Sequence, residues 1–307
     1  MKRSASIPLI FLATVGYGLM PIFTLVAYAA KTSPSELVLM RFLGAAVLMW
    51  IYYIATGRTS KLTAYPKAVV LRVVFMIGIP FTLTILVKFL AFTTMPVGIV
   101  QAIFYGYPLI VMLIGVSSGR ESFYLSRLLG YMVILVGILL TMDFSDARLT
   151  VVGVLLSVAS PIIYSWYILS LRHKKVIPVP SPIITTYVMT TGSVLMALAF
   201  PIFPNNGFSF ESQAWWGIAG LVLISSVGAF IVFNYGAKHV DSSLAATICC
   251  FEPIITILIE ILFLGGYYTP RQMAGIVLIP SGIIFSLLFS RKSKPKSPAC
   301  CTIGGDS

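Results

Sequence analysis

Ten long apolar runs, separated by short polar stretches, make up most of the chain. They are Ile7 to Ala29, Ser35 to Ala55, Ala68 to Thr93, Met95 to Val116, Leu125 to Met142, Val151 to Ser170, Ile183 to Phe203, Trp215 to Gly236, Ser243 to Leu264 and Gln272 to Ser290. A helix needs about 20 such residues to cross the hydrocarbon of a bilayer. Barrel strands would be about ten residues long and strictly alternating. The expected fold class is therefore all-α, a polytopic membrane protein with ten transmembrane helices. The third and fourth runs almost meet at Thr93-Thr94-Met95-Pro96, which requires a very short turn. Lys2 and Arg3 precede the first run as in a secretory signal. The run is too long for a signal core, so it is expected to be a retained span.

Composition supports the pattern. Of 307 residues, 58% are hydrophobic and 10% charged, against roughly 25% charged in soluble domains. That excludes a soluble enzyme, a disordered chain and a nucleic-acid-binding domain. The net charge of +12 comes from 21 Lys and Arg against 9 Asp and Glu. With the N-terminus inside, 16 of these cations fall in inner segments and 3, Lys31, Arg148 and Arg271, in outer ones; Arg41 and Lys88 lie within spans. The bias places both termini in the cytoplasm and the spans in a cell membrane. Cysteines occur as the adjacent pairs Cys249-Cys250 and Cys300-Cys301, and His173 and His239 lie far apart. Neither arrangement suggests a disulfide framework or a metal site.

An offset of 145 residues relates Pro108 to Pro253, Gly130 to Gly275 and Gly137 to Gly282. The chain thus divides into residues 1–145 and 146–290, five spans each, followed by a disordered cytoplasmic tail at 291–307. Five is odd, so the second half enters the membrane inverted, an arrangement that gives two access states and a site near the midplane.

The ordered motifs resemble the EamA family of the drug/metabolite transporter superfamily. In the first half these are Tyr17-Gly18, Leu39-Met40-Arg41-Phe42, Leu90-Ala91-Phe92, Pro108 and Gly119-Arg120-Glu121. In the second they are Gly236-Ala237, Glu252-Pro253, Leu264-Gly265, Thr269, Gly275 and Gly282. The resemblance implies a ten-helix secondary carrier and leaves the substrate open. One departure is Gly266, where the family often repeats the carboxylate that Glu121 supplies in the first half. Glu121 is expected to pin the turn before the fifth span.

Ionisable groups within spans are costly and usually face a cavity or partner. Glu252, beside the helix-breaking Pro253, suits a proton or substrate site, with a structural ion pair to Arg41 or Lys88 as the alternative. Arg41 suits a carboxylate or an internal pair. Lys88 is expected to snorkel to the outer interface, and Glu260 to lie near the outer mouth. Most of the aromatics, among them Phe104, Tyr107, Tyr164 and Tyr167, are read as packing or interfacial anchors. Tyr17, Tyr105, Trp166 and Phe251 are the candidate cavity aromatics, with Gln101 and Asn234 as polar candidates. Pro108, Pro253, Glu121, Gly130 and Gly275 are read as structural, and Gly115-Val-Ser-Ser-Gly119 as helix packing.

No phosphate loop or hydrolase motif occurs within a span, and no cofactor is implied. The reading is a secondary active transporter rather than an enzyme, moving a small metabolite such as an amino acid by alternating access. The resemblance favours efflux or exchange. Partners are the solute, protons or a counter-substrate, and the lipid bilayer. Rivals are a sugar-phosphate or nucleotide-sugar exchanger, a membrane enzyme built on His239 and Asp241, and a non-transporting receptor. The charge bias makes a direct prediction. In a background without native Cys, a single Cys near Arg172 should resist impermeant reagents in intact cells, and one near Gln213 should react. The reverse pattern would overturn the orientation.

Overall fold

The computed structural model describes residues 3–119, 121–141, 149–203, 207–264 and 269–289. Arg120, Arg148, Gly265, Gly266, Cys300, Cys301 and the tail at 291–307 lie outside the described residues. The described chain is helical, without strands. Eight helices are long and apolar enough to cross a membrane: Ala5–Ala29, Pro34–Ala55, Lys67–Phe92, Val97–Ser117, Val151–Ser170, Ser181–Ile202, Ala214–Ala237 and Ser242–Leu262. They correspond to the first four and the sixth to ninth apolar runs. The fifth run forms the shorter apolar helix Leu125–Thr141, and the tenth forms Pro270–Phe289. A small helix, Thr59–Thr63, joins the second and third spans and has no counterpart among the predicted runs.

The packing has the exchange symmetry of two inverted repeats. The first span packs on the eighth and the sixth on the third; the first also meets the ninth, as the sixth meets the fourth. The second pairs with the seventh and the fifth with the tenth. Each contact maps onto another, or onto itself, when the halves are swapped.

The fifth and tenth spans show this at atomic scale. A Cβ on Gly130 would stand 2.8 Å from the Gly282 carbonyl oxygen, and one on Gly282 2.8 Å from that of Gly130. A Cβ on Gly137 would come within 3.1 Å of the Gly275 carbonyl oxygen, and one on Gly275 within 2.5 Å of that of Gly137. As one number rises the other falls, so the helices run antiparallel. Gly130 meets the repeat equivalent of Gly137, and Gly137 that of Gly130, the reciprocity that a two-fold axis imposes. Between helices in lipid, small residues that let backbones approach supply much of the attraction.

Several spans are interrupted, and most of the interruptions are followed by proline. The first is divided at Leu19 before Pro21, the fourth at Tyr105-Gly106 before Pro108, and the ninth at Cys250-Phe251 before Pro253. The third and eighth contain widened π-turns, Val74–Gly78 and Leu221–Gly228, the former followed by Pro80. Proline lacks an amide donor and fits the first turn of a restarting helix. The breaks in the fourth and ninth spans occupy matching places in the two halves.

Gly137→Val would push a branched side chain against the Ile279 amide and the Gly275 carbonyl. Overpacking of this kind costs about 1–3 kcal/mol, so the melting temperature of the detergent-purified protein should fall. Leu139→Ala, on the outward face of the same helix, should change it little. Equal melts for the two variants would contradict the tight glycine seam.

Candidate solute site at the broken helices

The site is assembled from the interruptions. Glu252 opens the second half of the ninth span, so its carboxylate stands at the positive end of a half-helix inside the membrane, where the helix dipole favours negative charge. Gly18, at the break in the first span, makes this approach possible. A Cβ there would lie 2.5 Å from the Ile255 side chain and 3.4 Å from the Glu252 carbonyl oxygen. Thr256 donates its hydroxyl to the Gly18 carbonyl at 3.1 Å, using an acceptor left at that break.

Arg41, in the second span, donates Nε to the Ser226 hydroxyl at 2.8 Å and an Nη to the Met20 sulfur at 3.3 Å. Ser226 is presented by the π-turn of the eighth span. Tyr17, Glu252 and Tyr164 are within electrostatic reach of the guanidinium. Lys88 does not snorkel outward, contrary to expectation. It is half-buried, with Nζ 3.9 Å from the centroid of the Phe104 ring and 6.0 Å from that of Phe92. A cation over an aromatic face is held without surrendering its charge to a counter-ion. Lys88 and Arg41 are both within electrostatic reach of the Glu252 carboxyl. No ion pair of 4.0 Å or less joins either cation to Glu252 among the described residues. The carboxyl and the two cations thus lie within electrostatic reach of one another without a contact ion pair.

An aromatic wall runs from Lys88 toward the centre. Phe104 lies 5.1 Å from Tyr164 and 5.4 Å from Tyr107, Tyr107 lies 4.9 Å from Tyr164, and Tyr164 lies 5.3 Å from Tyr167. Phe81 and Phe230 continue the wall behind Tyr167, at 5.2 and 6.0 Å.

The other expected residues fall as follows. Tyr17 is half-buried, edge-on to Phe233 at 6.1 Å. Tyr105 is buried at the fourth-span break, within electrostatic reach of Glu252. Phe251 packs edge-on against Phe11, between the ninth and first spans, at 5.6 Å. Gln101 lies one turn before Tyr105 and its buried amide oxygen has no hydrogen-bond partner. Asn234 is fully buried behind the wall, where its amide oxygen accepts from the Tyr167 hydroxyl at 3.1 Å. Glu260 lies exposed in the second half of the ninth span.

Trp166 is a correction. Its side chain is 56% exposed and continues an outward stripe with Leu155, Val158 and Ile162. The inward face of that helix carries Ser157, Ser160 and Tyr164 instead. The spacing of small polar residues against large apolar ones along the sixth span was the signal that would have chosen Tyr164 over Trp166.

The profile of the EamA-like transporter family matches residues 4–143 and again 151–288. The chain belongs to the EamA-like transporter family. Its relatives include the uncharacterized transporter YwfM of Bacillus subtilis, 24% identical over 161 residues, 52% of this chain and 54% of that protein. The uncharacterized transporter sll1319 of Synechocystis sp. is 25% identical over 224 residues, 70% of this chain and 65% of that protein. The chain thus spans between half and two thirds of these two relatives. A further uncharacterized transporter, YcbK of Bacillus subtilis, is 23% identical over 95% of this chain and 97% of its own length. One protein of solved crystal structure superposes with a TM-score of 0.80 at 19% identity, over 95% of this chain and 99% of that one. That likeness shows the fold.

The placements separate two neighbours in the sixth span. In reconstituted vesicles Trp166→Ala should leave solute flux unchanged, and Tyr164→Ala should lower it severalfold. Equal losses would contradict the inward and outward assignment of this helix.

Proposed function

We propose that this EamA-like transporter is a secondary carrier of a small amphipathic solute with a charged head group, an amino acid or close relative. It works by alternating access, with Glu252, Lys88 and Arg41 as the polar end of the site. The observation that carries the reading is that the Glu252 carboxylate, at the ninth-span break, lies within electrostatic reach of Lys88 and Arg41 without a contact ion pair. A zwitterion complements it: an ammonium group toward Glu252, a carboxylate toward Lys88 and Arg41, and an apolar or aromatic remainder along Phe104, Tyr107 and Tyr164. Tyr17, Tyr105, Gln101 and Phe251 border the same region.

The carrier resides in the cell membrane with both termini cytoplasmic, and residues 1–145 and 146–290 act as its two moving halves. Export or exchange is the direction we favour, with protons or a counter-solute supplying the coupling. A second reading is an exchanger of organic phosphates, favoured by the inward turn of Lys88 beside Arg41, which brings two cations to one site.

Flux measurements on a panel of labelled solutes in proteoliposomes test both readings. Zwitterion transport supports the first and organic-phosphate exchange the second. Glu252→Gln preserves size and removes the titrating group. Its melting temperature should stay near that of the parent, because no contact ion pair is lost, while flux falls at least severalfold and loses its dependence on pH. A folded Glu252→Gln protein with normal, pH-dependent flux would remove Glu252 from the site.

A further inference from the structure

The fourth and ninth spans are unequal about their breaks. Their halves toward the chain termini, Tyr107–Ser117 and Ser242–Cys249, pack on each other, and the Tyr107 hydroxyl donates to the Ala246 carbonyl at 3.2 Å. Every residue from Ser242 to Cys249 is buried. Their opposite halves, Val97–Phe104 and Glu252–Leu264, make no comparable contact. Among the described residues these two broken spans thus meet at the end that carries most of the basic loops and stand apart at the other.

A buried polar cluster lies across the shut end. The fourth span finishes at Gly119, whose φ of +67° suits glycine, and the chain turns back so that the Glu121 amide donates to the Gly115 carbonyl at 3.0 Å. Gly115 and Gly119 therefore build a turn rather than a helix–helix contact. The turn sends the Glu121 side chain, 3% exposed, into the other half of the protein. There it accepts the Ser243 hydroxyl and, at 3.2 Å, the Ser243 amide. Arg127 pairs with it at 3.5 Å and also donates to the Ser243 hydroxyl at 2.9 Å. Arg172 reaches it at 4.0 Å and Asp241 at 3.3 Å. Asp241 is the N-cap residue of the Ser242–Cys249 helix, yet its side chain caps nothing there. Glu121, from the first repeat, occupies the cap in its place. Tyr131, bonded to Thr247 at 2.8 Å, extends the cluster toward the membrane.

At the repeat-related positions 145 residues away, all of this chemistry is missing. Glu121 corresponds to Gly266, Ser243 to Gly98, Arg127 to Gln272, Asp241 to Pro96, and Thr247 to Ala102. A buried carboxylate stays only where it is paired and hydrogen-bonded, and removing its partners is costly. This cost of parting the half-helices therefore falls on the basic end.

From this asymmetry we infer that Glu121, with Arg127, Ser243 and Arg172, is a latch that holds the basic end of the carrier shut, and that in this conformation solute reaches Glu252 and Lys88 from the opposite end. Opening the basic end requires Glu121 to leave the Ser242–Cys249 helix. The inference rests on the alternating-access reading, but it is tested without transport. Failure to find a solute and failure of the latch are therefore separate results.

The experiment places Ala246→Cys, at the buried seam, in a protein whose native cysteines are replaced by alanine. The protein is held in nanodiscs, where a charged maleimide reaches both faces. With the latch intact, labelling should be slow. Glu121→Gln removes the charge at constant size and should speed it about tenfold, the scale of one lost charged hydrogen bond. Ser243→Ala, which leaves Glu121 with Arg127, should give a smaller increase. Unchanged labelling in both folded variants, with or without a lower melting temperature, overturns the latch and leaves Glu121 a structural residue. If Glu121→Gln does not fold, Ser243→Ala decides by the same criterion.

Discussion

Inside a bilayer an amide or carbonyl that leaves its helix has no water to turn to, so a broken helix is tolerated only where protein or a cavity receives the freed groups. The first, fourth and ninth spans break at Leu19, Tyr105-Gly106 and Cys250-Phe251. Thr256 takes the carbonyl of Gly18, and Glu252 stands at the start of the renewed helix in the ninth span. The charged residues and the aromatic wall gather where continuous helix gives way. The need to satisfy backbone in lipid thus determines where a polar site in this fold is found.

A second constraint is symmetry. The reciprocal Gly130–Gly282 and Gly137–Gly275 contacts keep the two halves related. The site and the shut end depart from that relation. Tyr107 opens its half-helix where Glu252 opens the equivalent one, which places the acid on one side of the midplane only. The Glu121 cluster likewise has no ionic counterpart at Gly266, Gly98 and Gln272. The scaffold is near-symmetric, and its chemistry is one-sided.

The spans were legible because lipid imposes a long, continuous apolar run that no other element needs; predicted and observed ends differ by only a few residues. The 145-residue offset likewise foretold the inverted packing, since the glycines and prolines it related are the residues that touch or break. Side-chain direction was harder. Lys88 near a span end suggested snorkelling, but the Phe104 ring one span away holds it inward, and no local pattern carries that contact. Glu121 looked like a turn residue because its own segment is a turn. Its partner, Ser243, is 122 residues distant. Trp166 was misjudged because size and polarity at one position were weighed without the stripe around it.

The central claim is that Glu252 and Lys88 face one solute from opposite signs. Thermal melting of the purified protein against amino acids and their single-charge analogues, amines and carboxylates, tests it most directly when repeated on Glu252→Gln and Lys88→Met. The account predicts that a solute bearing both charges raises the melting temperature of the parent more than either analogue does, and that each variant loses this advantage. Stabilisation by the zwitterion that persists undiminished in both variants would contradict it.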